Sequence, residues 1–137
     1  AQFTKRVDLP VTWHIHSMQQ AFAAIETDAC TAFNVACVSG GPTHIKRILA
    51  VAEAAGFQCL IGTDQESTLG VSAQVAVGIS SPQIQLPCDP MGPVLYTTSP
   101  ARERVQAEGS YLTPFEGPGL GVELDDDKLA ELTTAAA

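Results

Sequence analysis

A chain of 137 residues, 45% hydrophobic and 16% charged, has the size and composition of one folded domain. Its net charge of −8 argues against nucleic acid as a partner, because phosphate backbones repel such a surface. Its apolar runs fall short of the roughly 20 residues of a membrane helix, and no basic amphipathic stretch points to a membrane surface.

The opening "AQFTKRVDLP" lacks both the apolar core of a signal peptide and a starting Met, as expected of a processed, trimmed or partial chain. Cys30, Cys37, Cys59 and Cys88 form no C-x-x-C pair, and three of them lie among apolar residues. Buried free thiols in a reducing cytoplasm are the expectation, and the spacing is too wide for a zinc site.

In chain order, "PVTWHI" (10–15) predicts a strand and "SMQQAFAAIETDA" (17–29) a helix capped by Ser17. "CTAFNVACV" (30–38) predicts the next strand, broken by Gly40 and Gly41. "PTHIKRILAVAEAAG" (42–56) predicts a helix with Pro42 in its first turn, one apolar face of Ile45, Ile48, Leu49 and Ala52, and Gly56 as its stop. "FQCLIG" (57–62) predicts a strand, "STLGVSAQVAVGIS" (67–80) a small-residue helix, and "QIQLPC" (83–88) one more strand. Residues 89–123 read as a long ordered excursion. "LDDDKLAEL" closes the chain as a short helix capped by Asp125, with Asp126 and Asp127 at the positive end of its dipole.

Strand–helix alternation about every 25 residues predicts an α/β domain with parallel strands, βα units over about 10–88 and an irregular tail over 89–137. Three or four such units do not close an eight-stranded barrel. Two arrangements remain: an open sheet of four strands, or part of a barrel completed by another chain or a second copy.

Four segments now bear on function: "DLPVTWHIHS", "CTAFNVACVSGG", "AEAAGFQCLIGTDQESTLG" and "FEGPGLGVELDDDKL". In this order they resemble the last part of the enolase superfamily's C-terminal barrel, in the branch of the muconate lactonizing enzymes and mandelate racemase-like proteins. The stretch from Gly62 to Gly70 and the tail carry most of that resemblance. It implies a partial (β/α) TIM-type barrel from an isomerase or lyase acting on a small carboxylic acid. It also implies Mg²⁺ or Mn²⁺ held by three carboxylates on consecutive strands. An α-proton is too weakly acidic for a side-chain base unless a divalent cation meets the enolate's charge. The resembling family also has a capping domain and earlier strands, with two metal carboxylates and the first basic motif, which lie outside the resembling stretch.

Inside the stretch the pattern departs from the family. The first strand would end in an acidic pair whose first member is a metal ligand, and here His14 and Ile15 stand there. The next strand would carry a lysine or aspartate five residues before the glycine pair. Val35 holds that place, with Asn34 beside it. One residue does match: Glu66 falls where lactonizing enzymes place a glutamate near the substrate, making it the catalytic candidate. Thr63, Asp64 and Ser67 are its substrate-binding neighbours. If the loop stays extended, Asp64 and Glu66 share a face and could tune each other for acid/base work.

His14 and His16 share a face in a regular strand, and H-x-H at a barrel strand end can bind a divalent metal, zinc or a transition metal in preference to Mg²⁺. His14 is therefore a candidate replacement ligand and His16 a second. The alternative is two hydrogen-bonded polar residues at a wet strand end. Gly40-Gly41 reads as a strand-to-helix turn, His44 as a surface residue, Trp13 as core, and "EGPGLG" as a tail segment packing back on the barrel. No G-x-S-x-G elbow supports a hydrolase.

The expected function is thus a cycloisomerase- or racemase-type reaction, with no proton abstraction by the isolated chain. The competing class is a truncated or decayed barrel serving as a binding or structural subunit. Expected partners are a small carboxylate and either a second copy or a complementary barrel chain.

Overall fold

Strands β1 (Thr12–His14), β2 (Ala32–Val35) and β3 (Gln58–Ile61) pair side by side in chain order, all parallel. The computed structural model describes residues 2–135. Parallel neighbours need a crossover, and helices α1 (Met18–Thr27) and α2 (Gly41–Ala54) supply it. Right-handed crossovers between strands taken in order put every helix on the same side, which is the arc of a barrel wall. Helix α3 (Thr68–Ile79) follows β3 and α4 (Asp126–Ala135) ends the chain.

The pleat sorts the strand residues into two faces. Phe33, Val35, Cys59 and Ile61 face the helices. They form the core with Ile15, Ala21, Ala24, Ile45, Ile48, Leu49, Ala52 and Val77. All four residues expected on the apolar face of α2 are buried. The opposite face carries Thr12 and His14 from β1, Ala32 and Asn34 from β2, and Gln58 and Leu60 from β3, with His14 level with Asn34 and Asn34 level with Leu60.

The caps follow the sequence. Ser17 accepts from the Gln20 amide at the start of α1, and Asp125 accepts from the Lys128 amide at 3.1 Å at the start of α4. Gly56 takes φ +75°, the left-handed stop after α2 that only glycine adopts cheaply.

Several expectations need correction. The segment 83–88 is not a strand: it makes a single parallel bridge, Cys59 to Ile84. Gln85 and Leu86 both donate to the Cys59 carbonyl, and the next inward amide, Ile61, turns to the Cys88 sulfur at 3.2 Å. The prolines at 82 and 87 bracket too short a run to extend the ladder. Strand β2 stops at Val35 because Cys37–Ser39 wind into a 3₁₀ turn before Gly40. A two-residue hairpin, β4 (Ala107–Glu108) and β5 (Tyr111–Leu112), was not expected. It turns through Gly109 at φ +62°, and its strands are too short to show alternation. Trp13 is 40% exposed because β1 is an edge strand, with no strand beyond it among the described residues.

All four cysteines are free. Cys30 and Cys59 are buried, Cys37 is half-buried, and Cys88, expected inside, is exposed. Burial pushes the Cys59 thiol up to about 12, and burial followed by the Glu66 charge pushes Cys37 up to about 11. Both lie above the ordinary 9.0, so the folded chain favours the protonated thiols. That contribution is complete below pH 9 and is lost as pH rises through 11 to 12. The unfolding free energy, measured in urea at about pH 8 and about pH 10.5, is therefore expected to fall between the two. Cys59→Ala should fall less, and an equal fall would remove Cys59 as a cause.

Candidate active site at the carboxyl edge of the sheet

Parallel strands bring their C-terminal ends to one edge, and there the polar residues collect. His14, Asn34 and the β3–α3 loop stand in a row along it. β3 runs into Gly62, whose amide still donates to the Val35 carbonyl at 3.0 Å. A Cβ on Gly62 would lie 2.1 Å from the Asn34 Oδ1, so the Asn34 amide lies directly across this glycine.

The loop then folds back on itself. Gln65 takes φ +65°, which ends the extended run, so Asp64 and Glu66 do not share a face. Asp64 is exposed, and it is its backbone amide that meets Glu66, donating to Oε2 at 3.1 Å. The expected carboxylate pair is not formed, because one left-handed residue reverses the pleat.

Glu66 is half-buried, and both its oxygens are engaged. Thr63 Oγ1 donates to Oε2 at 2.9 Å, and Gln74 Nε2 donates to Oε1 at 2.5 Å. Thr63 Oγ1 also accepts from the Gln65 amide at 3.0 Å. Ser67 occupies the N-cap position of α3, but its hydroxyl makes no cap bond. From outside, Tyr96 donates its hydroxyl to the Gln65 carbonyl at 2.6 Å, and Gly92 sits against the backbone of residues 65 and 66. Thr63, Asp64 and Glu66 thus form one hydrogen-bonded unit, with Ser67 next to it at the start of the helix.

His14 and His16 lie on one face, with ring centroids 5.0 Å apart. His14 Nε2 is buried and has no hydrogen-bond partner, as does Asn34 Oδ1 on the neighbouring strand. His44, expected at the surface, is half-buried, and its Nε2 donates to the His16 carbonyl at 3.2 Å. A carbonyl only accepts, so this contact fixes the His44 tautomer.

On β2 the pleat puts Val35 and Asn34 on opposite faces. Val35 points into the helix-side core, fully buried. Asn34 is the residue of β2 on the polar face, so an amide rather than an aliphatic group stands at the site.

Gln74, Tyr96 and Gly92 escaped the sequence reading. Gln74 left a signal, since it is the one long polar side chain within the small and apolar run of α3. Tyr96 and Gly92 left none, because contacts 31 and 26 residues away in an irregular segment have no period.

A divalent ion fits these residues poorly. Among the described residues no three His, Cys, Asp or Glu side chains gather as a ligand group. His14 and His16 offer two imidazoles, and the Glu66 oxygens are taken up by the chain itself. A hard, octahedral Mg²⁺ site needs more oxygen ligands than this edge supplies.

A family model described as "Enolase C-terminal domain-like" matches residues 1–128. The chain belongs to that family. A chloromuconate cycloisomerase from Pseudomonas putida is 29% identical over 122 residues, which are 88% of this chain and 33% of that enzyme. The solved muconate lactonizing enzyme from Pseudomonas putida superposes with a TM-score of 0.88 at 28% identity, over 95% of this chain and 37% of that one. An N-succinyl Arg/Lys racemase from Bacillus cereus superposes at 0.86 and 26% identity, over 96% of this chain and 36% of its own. The chain therefore spans about a third of the length of the curated relatives it matches. Its three-stranded arc is a piece of an enolase-superfamily TIM-type barrel, and the relatives named here are cycloisomerases and a racemase. Family membership generally implies a divalent metal. Among the described residues no helix is long and apolar enough to cross a membrane.

Proposed function

We propose that this chain is the later-strand portion of a cycloisomerase- or racemase-type active site for a small carboxylic acid, without turnover when isolated. The observation that carries the proposal is Glu66. It is braced at the carboxyl end of β3, on the same sheet edge as His14 and Asn34, and barrel enzymes keep their chemistry at that edge. The cycloisomerase and racemase relatives support the reaction class. In this reading Glu66 is the carboxylate the substrate meets, and Thr63, Asp64 and Ser67 line the same loop. A divalent Mg²⁺ or Mn²⁺ would take its oxygen ligands from a complementary part of the barrel, since this edge does not supply them. His14 and His16, if they bind an ion at all, would favour a softer one than Mg²⁺. The free thiols support a reducing, cytoplasmic setting.

A second reading, a non-catalytic binding or structural subunit, is favoured by His14 at the place where the resemblance expects a carboxylate and by Val35 and Asn34, neither of them a base, at the end of β2. For both readings the unpaired edge of β1, with Leu9 72% and Trp13 40% exposed, supports a complementary barrel chain or a second copy as partner.

One experiment separates them. The chain is incubated in D₂O with muconate and Mg²⁺ or Mn²⁺, and NMR follows the small molecule, since ring closure would leave solvent deuterium on the α-carbon of the lactone; amide shifts are read in H₂O, and sedimentation gives the mass in solution. The expected result is no lactone and no deuterium on carbon, with amide shifts confined to Gly62–Ser67. Deuterated lactone formed by the isolated chain would overturn its inactivity. A loop unmoved by muconate would reject the ligand site and favour the structural reading. A monomer at micromolar concentration would remove the second copy as partner.

A further inference from the structure

We infer that Gln74 is a positioning residue for the Glu66 carboxylate, placed in α3 for the geometry it imposes rather than for stability. The inference rests on the reading of Glu66 given above.

Gln74 is fully buried, 0% exposed, with Val71 and Val77 buried one turn to either side of it. Helix side chains lean toward the N-terminus, so its amide reaches back along α3. Glu66, Gly70 and Gln74 are spaced four apart and lie along one line of the helix and its approach. A Cβ on Gly70 would fall 2.6 Å from the Glu66 Cβ and 3.0 Å from its Cγ. The Glu66 side chain therefore lies across Gly70, through space only glycine leaves open, to meet Gln74.

The orientation of the amide is determined. The Gly62 carbonyl only accepts, and Gln74 Nε2 lies 3.2 Å from it, so the NH₂ group faces that way. Its second proton goes to Glu66 Oε1. What remains, Gln74 Oε1, is buried with no partner. A buried acceptor left unpaired is a standing cost, which an unbranched apolar side chain of similar length would avoid. The amide is kept at that cost, and what it does in return is tie the end of β3 to one oxygen of Glu66. Thr63 and the Asp64 amide hold the other oxygen. Glu66 is left with one orientation.

The test uses the full chain with ¹³C-labelled glutamate. Side-chain couplings report whether Glu66 holds one rotamer, thermal melting reports stability, and muconate titration reports the loop. In Gln74→Met the Glu66 couplings should collapse to rotamer-averaged values while the melting midpoint stays within about 4 °C of the parent. Muconate shifts at Gly62–Ser67 should then need roughly tenfold more ligand, one hydrogen bond's worth of preorganisation. If Gln74→Met fails to fold, Gln74→Asn keeps the amide one methylene too short and should show the same collapse. Unchanged Glu66 couplings in the variant that folds would overturn the inference. So would a loss of couplings only in proportion to a large fall in midpoint, which is what a purely structural role gives. If the couplings collapse but muconate never shifts the parent loop, the positioning stands and the ligand reading of Glu66 fails.

Discussion

Gly92→Ala is expected to unseat the β3–α3 loop. A Cβ at that position would lie 2.0 Å from the Glu66 carbonyl oxygen and 2.6 Å from its amide nitrogen. Both are backbone atoms, so no side chain can swing aside, and either the 3₁₀ turn Gly92–Leu95 or the loop must move. The turn also carries the chain into Tyr96, whose hydroxyl holds the carbonyl of left-handed Gln65. Separation costs that hydrogen bond, about 0.5–1.5 kcal/mol, on top of about 1–3 kcal/mol for overpacking. Urea unfolding should show a loss of roughly 1.5–4.5 kcal/mol, the sum of those two ranges. The Thr63–Ser67 amide resonances should shift with it. A stability unchanged within about 0.5 kcal/mol would mean that the turn does not seat against the loop. Tyr96→Phe isolates the hydrogen bond and should lose only the smaller part.

The second large effect belongs to the sheet. Phe33 is fully buried at the middle of β2, level with Trp13 on one side and Cys59 on the other. Its ring packs against Phe57, with centroids 4.9 Å apart. The buried cluster it belongs to draws residues from α1, α2, β3 and α3. Phe33→Ala is expected to cost about 3–5 kcal/mol, transfer plus cavity. Against the 5–15 kcal/mol of an ordinary domain, about that much leaves a chain partly unfolded at room temperature. Phe33→Leu keeps most of the volume and should cost much less. Urea midpoints for the two variants check this, and equal midpoints would show that the pocket collapses around the smaller residue.

Much of the fold was legible because it rests on local rules. The four buried residues of α2, the Ser17 and Asp125 caps and the Gly56 stop all express helix periodicity or terminal chemistry within a few residues. The parallel sheet followed from the alternation of strands with helices. The failures have one cause between them. Trp13 was expected inside because its strand is apolar, but burial depends on a neighbour on the far side of β1. Segment 83–88 has strand composition, yet its pairing ends after one bridge. His44 looked like a surface residue until α2 docked its first turn against the β1–α1 connection.

The site divides in the same way. Glu66 could be picked out from the order of motifs, since identity and spacing are properties of the chain. That Asp64 would turn away from it could not, because one positive φ at Gln65 decides it. Nor could the exchange of Val35 for Asn34 on the polar face, which depends on where the pleat falls relative to the 3₁₀ turn. The sequence by itself determined the family, the helices and strands, and the residue types available for chemistry. The tertiary structure alone decided which of them meet: Glu66 with Gln74, Asn34 with Gly62, and Gly92 with the backbone of the loop. Periodicity and capping act over one or two helical turns. A hydrogen bond or a close approach between distant segments exists only once packing has set their separation to a fraction of an ångström.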